Sequence, residues 1–418
     1  METPIFRSKY RNVPGGLDHA VQQAEQRGLH DWFIVDADCH QAEAISLFSK
    51  YLPEKWKQEY SDQDLKRMGA YEQAHKKLGA NPSDPLDEDK LRLMMLYEEL
   101  KDVAPFDREM KGRIIRSEGT YTSENYHELK EEEVVDLYTV RMGDIGIKRS
   151  IVFPETVLEF CNLADVNFDA ALANAYIDYM LDRFLGKYPQ FLSCVYAPAR
   201  APDKAAELID RVGSEKGIVG VLIPPTTPGP LAGDMSWNPI YEAADRKGLP
   251  ICFHANVNTR HPFDRFKKSS YLPVHTLSFP WYLILQLVSI ISEGVVERFP
   301  NLKFVFIEGG ITWIPWMMYR MDSEYLMRKS EAPLLNKLPS EYIKQFYFTS
   351  QPLERPRDIH DLKWVFDRFN AGTQLMYASD YPHWDFDVPK VIYDLPFLSI
   401  EDKRRILGEN ARQLFKIN

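Results

Sequence analysis

Lys303–Gly309 reads KFVFIEG, four apolar residues in a row closed by a carboxylate and a glycine. The run does not alternate apolar with polar residues, so it predicts a strand covered on both faces, as in a parallel sheet wrapped by helices. The same pattern recurs in seven other places: Phe33–Asp38 (FIVDAD), Lys148–Pro154 (KRSIVFP), Leu192–Pro198 (LSCVYAP), Ile218–Pro224 (IVGVLIP), Pro250–Ala255 (PICFHA), Phe346–Gln351 (FYFTSQ) and Leu375–Asp380 (LMYASD). Helix-period segments fall between most of them, at Ala170–Tyr188, Lys204–Glu215, Pro239–Lys247, Trp281–Arg298 and Ile359–Asn370. Alternation of this kind implies right-handed parallel crossovers, and eight such units close into a (β/α)8 TIM barrel.

The spacing breaks heavily once. Residues 41–147 carry dense charge and helical period, including Asp87–Lys101 and Glu128–Met142, and are expected to form a helical insertion after strand one. The predicted organisation is an N-terminal extension over 1–30 and a barrel over 31–418. A second long connection, Asn256–Ser278, holds His261 and His275 and has the length of an active-site loop or lid. In 418 residues, 44% are hydrophobic and 27% charged, which supplies a core and excludes disordered and collagen-like classes. Lys plus Arg number 51 against 61 Asp plus Glu, a net charge of −10, so nucleic acid and anionic membrane surfaces are not expected partners. Cys39, Cys161, Cys194 and Cys252 form no C-x-x-C pair, and the N-terminal stretch lacks a signal peptide's apolar core; both predict a reducing, cytoplasmic setting. The apolar run Trp281–Ile291 is interrupted by Gln286 and predicts a buried helix rather than a membrane span.

Active sites of such barrels are built at the C-terminal ends of the strands, so polar residues there are read as chemistry first. Strand one ends in D-A-D-C-H, which puts Asp38 and His40 on one face. Strand five ends at His254, strand six at Glu308 before Gly309 and Gly310, and strand eight at Asp380, three residues before His383. Any one of these alone is equally well a helix cap or a loop anchor. Their joint occurrence at four strand ends points to a metal site made of Asp38, His40, His254, Glu308, Asp380 and His383. His19, His30, His75, His127 and His360 lack this placement, His261 and His275 stay undecided, and Glu43 reads as a first-turn helix carboxylate rather than a ligand. Cys39 and Cys252 are expected to pack.

Several motifs resemble the amidohydrolase-related family, in the branch that includes the aminocarboxymuconate semialdehyde and dihydroxybenzoate-type decarboxylases. They are D-x-H after strand one, F-H-A at strand five, ERFPNLKFVFIEGG over Glu297–Gly310, SDYPHWD over Ser379–Asp385 and ILGENARQLF over Ile406–Phe415. The resemblance covers most of 31–418 and is weakest in the insertion. It implies a barrel with a metal held by Asp38, His40, His254 and Asp380. Two imidazoles common in the family are carboxylates here, Asp38 and Glu308, and the metal-bridging lysine expected after strand four is replaced by Pro224-Pro225-Thr226.

Exchanging imidazole for carboxylate hardens a site and shifts preference from zinc toward manganese and iron. Three carboxylates and three histidines suit two metals sharing a bridge, and the pattern resembles the branch containing dinuclear non-haem iron or iron/manganese hydroxylases. The favoured expectation is therefore an oxygen-activating Fe/Mn or Fe/Fe monooxygenase acting on a small organic substrate such as a carboxylic acid. One metal would take Asp38, His40 and Asp380, the other His254, Glu308 and His383, with Asp380, His383 and Glu308 as catalytic residues. The alternative is a hydrolase or non-oxidative decarboxylase using one Zn or Mn ion, with Asp380 or His383 handling the proton. A third, non-catalytic subunit is disfavoured by the intact ligands. A homo-oligomer, or a hetero-oligomer with a homologous subunit, is expected. Candidates to touch substrate are Arg260, Arg265, Lys267, Lys268, Asn256, Asn258, Thr349, Ser350 and Gln351, whereas Trp313, Trp316 and Tyr319 have packing spacing.

Overall fold

The computed structural model describes residues 18–41, 48–59, 142–155, 157–256, 263, 271–381 and 386–418. Eight parallel strands follow one another in sequence order: β1 (Ile34–Gln41), β2 (Ile147–Pro154), β3 (Phe191–Tyr196), β4 (Ile218–Ile223), β5 (Ile251–His254), β6 (Phe304–Ile307), β7 (Tyr347–Thr349) and β8 (Leu375–Met376). Every residue of β1, β4, β5 and β6 is buried, as expected of strands enclosed on both faces. The ring is completed between β1 and the segment after β8. There Ala37 N donates to Tyr377 O (2.9 Å), Asp380 N to Asp38 O (2.8 Å) and His40 N to Tyr381 O (2.7 Å). These bonds close a (β/α)8 barrel.

The crossover helices are α1 (Val166–Arg183), α2 (Pro202–Val212), α3 (Asn238–Lys247), α4 (Tyr271–Ser292), α5 (Trp313–Met327) and α6 (Ile359–Arg368). Their ends follow local chemistry. Asp165 and Asp358 cap α1 and α6 by accepting backbone N–H groups, Pro202 opens α2, and Gly248 ends α3 in the left-handed region at φ 63°. Phe253, Phe306 and Phe348 stack on one face of β5, β6 and β7, with centroids 5.7 Å apart at each step. Strand alternation leaves His254 on the opposite face.

Six strands end one to four residues earlier than the sequence suggests, and for β6 and β8 the cause is visible. β6 stops at Ile307 because Glu308 turns into the left-handed region (φ 62°), and β8 stops at Met376 because the chain then leaves β7 to bond with β1, with Asp380 at φ 57°. The expected helix over Trp281–Arg298 starts earlier, at Tyr271, and Gly294 at φ 71° splits off Val295–Arg298. An 18-residue stretch of α4, His275–Ser292, is apolar enough by length and composition to cross a membrane, with 44% of it buried. Its inner face nevertheless belongs to the barrel. Leu283, Leu287, Ile290 and Ile291 are fully buried, and Gln286, the residue interrupting the apolar run, donates to Pro225 O (2.7 Å) and accepts from Ala232 N (2.9 Å). Of the insertion, Ser49–Tyr51 and Glu54–Glu59 are helical, while Asp87–Lys101 and 128–141 lie outside the described residues. Part of the supposed N-terminal extension packs on the barrel: helix Asp18–Gln26 buries Ala20 and Ala24 in the common core.

The C-terminal helical run, Ile400–Arg404 through Arg405–Glu409 to Asn410–Leu414, locks the seam from outside. Tyr377 N donates to Ile406 O (2.8 Å), and the Asn410 amide donates to Leu375 O (2.7 Å) and Gly372 O (3.1 Å). Gly408 sits on the Phe33 carbonyl at the entry to β1, where a Cβ would strike that oxygen. Gly408→Ala is therefore expected to destabilise by about 1–3 kcal/mol through overpacking against backbone. Thermal unfolding should show a melting point several degrees lower, with the exposed Glu409→Ala unchanged.

Candidate metal centre

Asp38 and His40 are two apart on β1 and face the interior together. The ends of β5 and β6 and the segment after β8 bring His254, Glu308 and Asp380 to the same place. All five side chains are buried, Glu308 the least at 7% exposure. His40 Nε2 lies 3.5 Å from Asp38 Oδ1 and 3.2 Å from Asp380 Oδ1, and His254 Nε2 lies 3.1 Å from the same Asp38 oxygen. The two imidazoles meet edge to face, with centroids 4.8 Å apart. Two overlapping groups have the spacing of metal ligands, Asp38–His40–His254 and His40–Glu308–Asp380, and they share His40. This grouping differs from the partition read from the sequence, since His254 joins Asp38 and Glu308 joins His40 and Asp380.

Both imidazoles turn Nε2 to the centre and Nδ1 outward. His254 Nδ1 donates to Ala255 O at 2.6 Å and lies 3.8 Å from Glu308 Oε2, while His40 Nδ1 lies 3.5 Å from Glu155 Oε1. Outer contacts of this kind fix the ring orientation and the tautomer of a ligating histidine. Burial pulls the His254 pKa down, but the Asp38 carboxylate beside it and the bond to Ala255 O outweigh burial and raise it above its ordinary value. Asp38 Oδ2 is buried without a hydrogen-bond partner among the described residues. An orphaned carboxylate oxygen costs about 1–3 kcal/mol or more, a cost that a cation removes. Carboxylate oxygens beside inward imidazole nitrogens make a donor set that fits one divalent ion of borderline to hard character.

Glu308 and Asp380 both occupy the left-handed region, at φ 62° and 57°. Two non-glycine residues in this conformation, after strands β6 and β8 on either side of β7, mark a strained, over-determined site. Each is held through its amide, Glu308 N by the Thr349 hydroxyl (3.0 Å) and Asp380 N by Asp38 O (2.8 Å).

Asp36 was not singled out from the sequence. Its carboxyl accepts from Ser379 N (2.8 Å) and Asp38 N (3.3 Å) and contacts Ser379 Oγ at 2.5 Å, and burial pushes its pKa up to about 8 against those bonds. The signal was the first carboxylate of D-A-D-C-H, within a strand otherwise buried. Glu155 was missed because β2 ends at Pro154 and the next residue looked like loop. Thr349 and Ser350, expected to face substrate, instead brace backbone: the Ser350 hydroxyl accepts Ala378 N at 3.1 Å. Asn256 is engaged by Thr226 Oγ (2.8 Å) and Glu159 (3.3 Å). His275 packs edge-on against Phe279 and belongs to neither ligand group. Cys39 bonds Ile151 O on the outer side, and Cys252 meets Cys194 at 4.0 Å one pleat below His254, both in packing roles. His383, Glu43, Asn258, Arg260, His261, Arg265, Lys267 and Lys268 lie outside the described residues.

Known proteins share this architecture. A γ-resorcylate decarboxylase from Polaromonas sp. is 22% identical over 318 residues, covering 73% of this chain and 95% of that protein. A 2-amino-3-carboxymuconate-6-semialdehyde decarboxylase from Dictyostelium discoideum is 24% identical over 60% of this chain and 68% of its own length. The crystal structure of 5-carboxyvanillate decarboxylase from Novosphingobium aromaticivorans, complexed with manganese and 4-hydroxy-3-methoxy-5-nitrobenzoic acid, superposes with a TM-score of 0.61 over 93% of this chain and 97% of that one, at 18% identity. At that identity the superposition establishes the fold. The pattern of the family described as Amidohydrolase matches residues 157–417, more than half of the sequence, and the chain belongs to that family.

Proposed function

We propose that the protein is a metal-dependent, non-oxidative decarboxylase of a small aromatic acid. The observation that carries this reading is the convergence of Asp38, His40, His254, Glu308 and Asp380 on one buried centre whose two ligand groups share His40. An imidazole nitrogen lends one lone pair to one ion, so the shared histidine favours a single metal over the two of a dinuclear hydroxylase. Decarboxylase relatives matched over most of their length support the same choice, and nothing comparable supports iron or oxygen chemistry. All four cysteines are free thiols, which supports a reducing, cytoplasmic setting.

Asp38, His40 and His254 would hold the ion, with Glu308 closing its acidic edge; manganese suits that mixture of carboxylate and imidazole. Bound there, a divalent ion supplies a fixed positive charge for the anionic oxygens of the substrate. The protein's own groups do the rest. The proton would come from a side chain at the centre, and Asp380, buried beside His40 Nε2 at 3.2 Å, is placed to give it. The bond between the ring carbon and the carboxyl carbon breaks, its electron pair stays on the ring carbon, carbon dioxide leaves, and the Asp380 proton takes the vacated position.

Incubation of the manganese-loaded protein with hydroxylated benzoic acids under nitrogen should release carbon dioxide and the decarboxylated arene in equal amounts. No turnover across the panel under nitrogen, or turnover only in air with oxygen uptake and a hydroxylated product, would overturn the reading. Asp380→Asn should lower kcat by about 10²–10⁴-fold while manganese still binds.

Metal linkage gives an independent check. Manganese at about 100 times its Kd should stabilise the wild-type protein by about 2.7 kcal/mol. Differential scanning calorimetry should show that increment as a rise in melting temperature, and Asp38→Ala or His254→Ala should abolish it. An unchanged metal-induced rise in both variants would remove these residues from the site.

A further inference from the structure

We infer that Glu354 is a positioning residue whose carboxylate clamps the Gly309–Thr312 turn and so holds Glu308 in the conformation that directs it to the metal centre. This rests on the reading of Glu308 as part of that centre. Glu308 sits at φ 62°, a left-handed conformation that L-residues with long side chains avoid, so its surroundings must hold it there.

The restraints come from three side chains. Thr349 accepts the Glu308 N–H, and the Trp313 indole N–H donates to Gly309 O (2.9 Å) and Gly310 O (3.1 Å). Glu354, in the loop after β7, grips the far end of the turn with both oxygens: Oε2 accepts from Ile311 N (2.9 Å) and Oε1 from Thr312 Oγ1 (2.9 Å). The turn is fitted to that carboxylate. Gly310 takes φ 66°, and a Cβ on it would fall onto the Glu354 carboxylate. Gly310 thus leaves room for a group from the next strand's loop to lie against the backbone, while Gly309 makes way for Leu283. Glu354 also lies at the start of α5, where a carboxylate is favoured in any protein. The two roles separate experimentally, because a helix cap acts on stability alone whereas a clamp acts through Glu308.

The probe is Mn²⁺ binding to the full-length protein, read from the electron paramagnetic resonance signal of free Mn²⁺, with folding checked by circular dichroism. Glu354→Ala should weaken Mn²⁺ binding about 10-fold, within the range found when partners that orient a metal ligand are removed. Glu354→Gln keeps one accepting oxygen for Ile311 N, and its NH2 can donate to the Thr312 hydroxyl oxygen, so it should stay within about 3-fold of wild type. Glu308→Gln should itself weaken binding, and Glu354→Ala added to it should cause little further loss, because residues that act through one another are not additive. Full additivity in the double variant, or wild-type binding by Glu354→Ala while Glu308→Gln is impaired, would overturn the proposal. Wild-type binding by Glu308→Gln would instead overturn the reading of the centre on which it rests. Should Glu354→Ala fail to fold, Thr312→Val removes one of the two contacts; a 2–3-fold loss confined to the Glu308 background supports the clamp, and no loss overturns it.

Discussion

The centre depends on how the barrel is closed, and one buried carboxyl braces the backbone bonds that close it. β8 pairs with β7 over two residues only, so the last strand is weakly anchored on that side. Asp36 ties it to β1 instead, through the amide and hydroxyl of Ser379, 343 residues away, while also receiving the amide of Asp38. The same contact that completes the ring therefore fixes Asp38 against Asp380. With its pKa at about 8, Asp36 keeps its proton at neutral pH and adds no charge beside Asp38, Glu308 and Asp380. A carboxylate held ionised in that position would repel the residues it aligns.

Around this brace the protein accepts several locally unfavourable features. Glu308 and Asp380 take backbone conformations other residues avoid, and Asp38 keeps a buried oxygen without a hydrogen bond. Each costs on the order of 1–3 kcal/mol. At this centre they fall on carboxylates that face one another, where a bound cation would offset the cost of the buried oxygen. The raised pKa of His254 reports the same negative field, that of the Asp38 carboxylate against the cost of burial.

The sequence made the eight strands legible because each is buried on both faces and reads as an unbroken apolar run, against which Asp38, His254, Glu308 and Asp380 stand out. Their positions at the strand ends followed directly. Asp36 stayed hidden because a carboxylate within a strand, two residues before a stronger candidate, carries no periodic signal. Its partner Ser379 is contiguous in space and nowhere near it in sequence. Thr349 was read by position as a pocket residue, yet its hydroxyl is spent on Glu308 N, a contact created by the left-handed turn that no propensity scale anticipates. Glu354 was invisible for the same reason, since its importance comes from a turn on a neighbouring strand.

The exchange of imidazole for carboxylate at Asp38 and Glu308 is a statement about hardness, and the number of ions is a separate question. With two divalent ions against Asp38, Glu308 and Asp380, the centre would carry a surplus positive charge that needs a further bridging anion. With one ion and the proton on Asp380, it is neutral, and an anionic substrate enters without a net repulsive charge. The spatial sharing of His40 between the two ligand groups favours the second arrangement. In the proposed decarboxylase the carboxylates would divide into distinct tasks: Asp36 aligns, Asp38 and Glu308 would bind the ion, and Asp380 would carry the proton that takes the place of the departing carboxyl group.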